Sequence, residues 1–118
     1  MLDQTTREAI AAELVQADRD RTILPRLTAR YPEMAIDDSY AIQKIWSDQR
    51  IAQGARLVGH KIGLTSKVMQ VATGITEPDY GVIHDDMVYE SGSVLEFDRF
   101  SNVRIEVELA FVLAKPLS

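Results

Sequence analysis

Near Gly54 the apolar residues of this chain stop recurring at helical spacing and begin to alternate, and this change of period most constrains what it can fold into. Before that point, residues 5 to about 19 are expected to be helical. Thr5 and Glu8 have capping-box spacing, and Ile10, Leu14 and Ala17 share a face. A second helix is expected from Asp37 or Asp38 to Gln53. Its amino end is acidic, Ala41, Ile42, Ile45, Trp46 and Ala52 form its stripe, and Gly54 follows its end. The connector "ILPRLTARYPEM" carries two prolines. After Gly54, glycine punctuation and short β-forming runs predict strands at about 56–62, 82–89 and 103–113, with a short helix beginning near Ser66. Helices first and strands afterwards predict an α+β plan, with a helical region at 1–54 and a β-rich region at 55–118. No internal repeat is visible.

A chain of 118 residues suits one domain with a modest core. A net charge of −5, with 13 scattered Lys and Arg, argues against nucleic acid, which requires a basic patch. The chain has no cysteine, so disulfides, thiol catalysis and cysteine-ligated zinc are excluded. Its apolar runs are too short for a membrane helix and "MLDQTTREAI" lacks signal-peptide patterning, so the expected location is the cytoplasm.

The last β-forming run, "RIEVELAFVLA", carries two carboxylates. In a strand Arg104, Glu106, Glu108 and Ala110 point one way and Ile105, Val107, Leu109 and Phe111 the other. The two glutamates then stand about 6.5 Å apart between α-carbons, close enough to call for a proton or a cation. A hard divalent ion is one answer. The more common meaning of Glu-x-Glu is a wet amphipathic strand, and spacing alone leaves both readings open. No downstream strand is available to pair with this run, so another chain or a continuation is expected to cover it.

In "RLVGHKIGLTSK" alternation separates His60 from Lys61. Glycines leave room around Lys61, whereas His60, among aliphatic residues, reads as a core histidine. Lys61 by itself is most simply a surface ion pair, and Asp79 in "ITEPDYG" a turn aspartate. "IHDDM" reads as a solvated turn or strand end rather than a metal cluster, because alternation divides His84, Asp85 and Asp86 between faces.

Together, "GHKIGLTSKVMQ", "ITEPDYG", "DDM" and "RIEVELAFVLAKPL" closely resemble, in order and across nearly the whole chain, the hydratase and decarboxylase family of aromatic meta-cleavage pathways, within the fumarylacetoacetate hydrolase superfamily. The resemblance implies a homo-oligomeric Mg²⁺-dependent lyase, with Mn²⁺ as the alternative ion, acting on a small 2-oxo dicarboxylic acid. It implies a mixed β roll or barrel with amino-terminal helices, of which this chain resembles an incomplete, amino-terminal part. By the same resemblance Glu106 and Glu108 are metal ligands, and Lys61 and Asp79 catalytic groups, Asp79 orienting or tuning Lys61. The family's third metal carboxylate falls outside the residues present. Water addition is the implied reaction; a decarboxylase of the same family and a non-catalytic assembly module are the alternatives, and hydrolytic carbon–carbon cleavage is more distant. Arg104, on the glutamates' side, is a candidate for the substrate's far carboxylate.

Overall fold

A computed structural model describes residues 1–116, so the last two residues of the 55–118 region lie outside the described part. Helix α1 runs Gln4–Asp20, a short α2 spans Leu27–Arg30 within the connector, and α3 runs Ile36–Ala52. Strand β1 (Leu57–Gly63), helix α4 (Lys67–Thr73) and strand β2 (Asp79–His84) follow, with 3₁₀ turns at Asp85–Met87 and Phe97–Arg99. Ser66 caps α4 by accepting the Met69 N–H at 3.2 Å.

The cap of α1 is Asp3 rather than the Thr5 expected from the capping-box spacing. Its Oδ1 accepts the Thr6 N–H at 2.7 Å, while Glu8 accepts from the Gln4 side chain instead. A carboxylate two residues earlier satisfies the same free N–H groups and also suits the positive end of the helix dipole. At the other end Arg21 adopts φ 54° and closes the helix onto the carbonyls of Ala17 and Asp18.

Helices α1 and α3 pack through Ile10, Ala11 and Ile42, joined by Leu2 and flanked by Leu14, Leu27, Tyr31, Met34, Ile45 and Trp46. Each fully buried isoleucine contributes roughly 1.5–3 kcal/mol of transfer free energy. At the start of this interface lies a fully buried carboxylate, Asp38. Its Oδ1 accepts from Leu2 N–H at 3.1 Å and from Arg7 Nε and Nη2 at 3.0 and 2.7 Å; its Oδ2 accepts from Ala35 N–H at 2.8 Å. The Ala35 contact is half a capping box, since alanine has no oxygen to return it. Four donors offset the desolvation of the ion, and one side chain thereby ties the amino terminus, α1 and α3 together.

Strands β1 and β2 form an antiparallel pair in which His60 faces Val82, Lys61 faces Gly81, Ile62 faces Tyr80 and Gly63 faces Asp79. The register slips between Leu57 and Gly59, leaving Val58 as an extra, bulged residue. The Gln43 side chain of α3 lies along the outer edge of β2, its Oε1 accepting the Val82 N–H at 3.0 Å and its Nε2 donating to the Tyr80 carbonyl at 3.4 Å. That amide satisfies an edge that would otherwise be open for pairing.

The structure corrects three expectations. Strand β2 begins at Asp79 and stops at His84 instead of spanning 82–89, because Asp85 turns the chain: its carboxylate accepts the Arg56 N–H and Nε at 2.9 and 3.0 Å. The core histidine is His84, not His60. His84 is fully buried with its Nε2 2.9 Å from Ser47 Oγ and its ring edge-on to Trp46, whereas His60 is exposed beside Tyr80. Residues 103–113 form no strand: none of the described residues pairs with them, and Ile105, Val107, Leu109 and Phe111 are 85–100% exposed. An alternating sequence sets which side chains share a side, but a strand needs a partner for its backbone groups.

Replacing Ile10 by Ala is expected to cost roughly 2–5 kcal/mol, read by urea denaturation, because Ile10 is 1% exposed and the truncation removes buried methyl groups. The Ala35, Arg7 and Leu2 donors hold the Asp38 carboxyl below its ordinary value of 3.8, so its stabilisation is complete above that value and is lost as pH falls through the depressed one. Asp38→Asn should lower the melting temperature at neutral pH and flatten its decline on acidification; an unchanged acid limb would contradict this assignment.

Candidate active site

Residues opposite one another in an antiparallel pair share a face, so the register places Lys61, Gly63, Gly81 and Asp79 on one side of the ribbon. Two of these four are glycines, and Asp79 occupies the space that one of them leaves. A Cβ at Gly63 would collide with the Asp79 carboxylate, which therefore rests over that glycine. Asp79 is thus the first residue of β2 rather than the turn aspartate that its neighbouring proline suggests.

Beside this face opens a cleft of about 560 Å³ lined by Tyr40, Gln43, Lys61, Glu77, Asp79 and Tyr80, among others. The Tyr40 and Tyr80 rings stack with centroids 4.6 Å apart along its wall. Sequence reasoning missed Tyr40, Gln43, Glu77 and Tyr80 as cleft residues. The one available signal was Gln43, a polar residue directly beside the apolar stripe position Ile42.

Lys61 and the two glutamates do come together. Lys61 Nζ donates to Glu106 Oε2 at 3.1 Å and to both oxygens of Glu108 at 2.8 and 2.9 Å. The glutamates therefore lie on one side of their segment, as alternation predicts, although the segment is unpaired. Hydrogen bonds donated to Glu108 and then to Glu106 raise the lysine's pKa, so the ammonium is the favoured form here. Asp79 makes no hydrogen bond to Lys61; the glutamates hold the lysine where Asp79 was expected to orient it. His84, Asp85 and Asp86 form no metal cluster, for His84 turns inward to Ser47, Asp85 binds Arg56 and Asp86 binds Arg50.

The donor set fits a hard divalent cation. Two carboxylates already converge on one positive centre, and one or two protein carboxylates are what a Mg²⁺ ion usually takes from a protein, the remainder coming from water and substrate. Among the described residues no group of three or more His, Asp or Glu side chains is gathered around a common point. Charge is in keeping with this fit: one ammonium, Lys61, stands against the carboxylates of Glu106 and Glu108 that it binds and of Glu77 and Asp79 in the adjoining cleft.

No protein-family model matches the chain. It is 52% identical over 117 residues to 2-oxo-hept-4-ene-1,7-dioate hydratase from Escherichia coli, covering 99% of this chain and 44% of that protein. A 2-keto-4-pentenoate hydratase from Paraburkholderia xenovorans (strain LB400) is 40% identical over 111 residues, or 94% of this chain and 41% of the relative. Among solved structures, 4-oxalocrotonate decarboxylase from Pseudomonas putida G7 superposes with a TM-score of 0.71 at 29% identity, over 73% of this chain and 33% of that one, in a complex with magnesium and adipate. A second complex of that enzyme, with calcium and acetate, gives a TM-score of 0.70. Across nearly its whole length, then, the chain is similar in sequence to hydratases of unsaturated 2-oxo acids and, over 73% of it, in structure to a decarboxylase, and it spans less than half the length of these relatives.

Proposed function

We propose that the full-length protein containing this chain is a divalent-metal-dependent hydratase. It adds water to 2-oxo-hept-4-ene-1,7-dioate, giving 4-hydroxy-2-oxoheptanedioate, in the catabolism of homoprotocatechuate. The observation that carries this reading is the 52% identity to the Escherichia coli hydratase, running through the segments that hold Lys61, Asp79, Glu106 and Glu108. A fumarylacetoacetate hydrolase-type β roll, homo-oligomeric assembly and a cytoplasmic location belong to the same reading.

The substrate's chemistry explains the choice of residues. Its C4=C5 alkene is not conjugated with the C2 ketone, so water adds at C4 only after a proton leaves C3 and another reaches C5. Negative charge develops on the C2 oxygen during that shift. Glu106 and Glu108 would hold Mg²⁺ or Mn²⁺, which when bound supplies Lewis acidity toward the 2-oxo acid. In this reading Lys61, as an ammonium, would hold a proton near the C2 oxygen and Asp79 would move one between C3 and C5, a division supported by their shared face of the ribbon. The stacked Tyr40 and Tyr80 rings give the carbon chain an apolar wall.

Decarboxylation is the second reading, favoured by the structural likeness to 4-oxalocrotonate decarboxylase. The two differ in their product. Incubating the full-length protein with the seven-carbon and six-carbon unsaturated 2-oxo dioic acids and Mg²⁺ should consume the former with no CO₂ evolved; stoichiometric CO₂ release would establish the decarboxylase instead. Glu106→Gln and Glu108→Gln should each lower metal-dependent turnover at least about a hundredfold, as expected when a charge-stabilising centre is lost. Ordinary turnover in either variant, measured at saturating Mg²⁺, would remove the glutamates from the metal site.

A further inference from the structure

We infer that Lys61 is the exchangeable counter-cation of the Glu106–Glu108 pair: a divalent ion and the lysine ammonium compete for the same oxygens, so loading the metal releases Lys61 toward the cleft. The inference rests on the assignment of the two glutamates as metal ligands and goes beyond it, because it concerns what the lysine does when the ion arrives.

Its basis is geometric. Lys61 Nζ takes Glu106 Oε2 and both oxygens of Glu108, leaving only Glu106 Oε1 outside the contact. An ion bound by both carboxylates needs oxygens from each at roughly 2.0–2.1 Å. Such an ion would draw on the oxygens that Nζ now holds, and a second positive charge at that point would repel the ammonium. The lysine has somewhere to go, since it stands on the ribbon face that carries Gly63, Gly81 and Asp79 and it lines the adjoining cleft. Gly81, directly opposite it, presents no side chain to block the swing. The pair is also weak enough to exchange: the three side chains are 48–66% exposed, and ion pairs this wet are readily broken.

The arrangement has a functional logic. While the lysine neutralises the glutamates it is withheld from substrate, and the cleft, lined by Glu77 and Asp79, repels a dianionic acid. Exchange supplies the cation and frees the lysine in one event. The apparent metal affinity is correspondingly reduced by the fraction of molecules in which the lysine holds the carboxylates.

The test is Mn²⁺ affinity in the full-length protein, read at fixed pH from the free-ion electron paramagnetic resonance signal, together with the Lys61 position in a Mn²⁺-soaked crystal. Lys61→Met should bind Mn²⁺ about two- to fivefold more tightly than the parent, the range expected on removing one exposed competing cation. Lys61→Arg should bind no more tightly than the parent, because it keeps the competing charge. In the soaked crystal Nζ should have left hydrogen-bonding distance of Glu108. Unchanged or weaker affinity in Lys61→Met, or Nζ still bonded to Glu108 beside a bound ion, would overturn the exchange. The double variant Glu106→Gln/Glu108→Gln separates the two failures: if it binds Mn²⁺ as the parent does, the ligand assignment itself is wrong.

Discussion

A two-stranded ribbon is marginal in water, and the candidate site is built on one. What keeps β1 and β2 in place is their attachment to α3 through a series of polar and aromatic contacts. Tyr40 stacks on Tyr80, Gln43 binds the backbone at Tyr80 and Val82, Ser47 meets buried His84, and Arg50 reaches Asp86. These contacts recur at three- and four-residue intervals, so they lie along one side of the helix. Helix α3 is in turn held against α1 by Ile42 and by the Asp38 carboxylate. The position of Lys61 and Asp79 thus depends on a helical interface that touches neither.

Several features were legible because they are local. The long helices α1 and α3 follow from apolar spacing, the start of α4 falls near Ser66 as expected, and the shared side of Glu106 and Glu108 follows from simple alternation, whereas α2 lies in what reads as a connector. Others depend on partners distant in the chain. Val58 bulges out of β1, and no residue pattern announced that slip. His60 sits among aliphatic residues in sequence and His84 directly before two aspartates, yet the docking of β2 on Ser47 and Trp46 buries His84. The run 103–113 has a strand's sequence, yet whether a strand forms is decided by a backbone that must lie beside it.

The site is legible in the same uneven way. Resemblance singled out Lys61, Asp79, Glu106 and Glu108 as a group, and the structure adds how they are related. Lysine and glutamates form one ion-paired knot, while Asp79 stands apart over a glycine. The role of Gly63 was invisible from composition. It is a seat for a carboxylate, and any side chain there would push Asp79 away from the face it shares with Lys61. Glu77 and Asp79 line the cleft beside Lys61, so its own residues set a negative charge against an anionic ligand.

The bare apolar side of residues 105–111 has a consequence for handling. Ile105, Val107, Leu109 and Phe111 present a greasy strip with free backbone groups on the same stretch, the features that make polypeptides stick to one another. The alternating charges of Arg104, Glu106 and Glu108 act as gatekeepers against stacking, and once the lysine neutralises the glutamates that protection weakens. Solutions of these 118 residues alone will therefore keep best when dilute, at low salt and well above the isoelectric point of 4.9, where mutual repulsion between molecules is greatest.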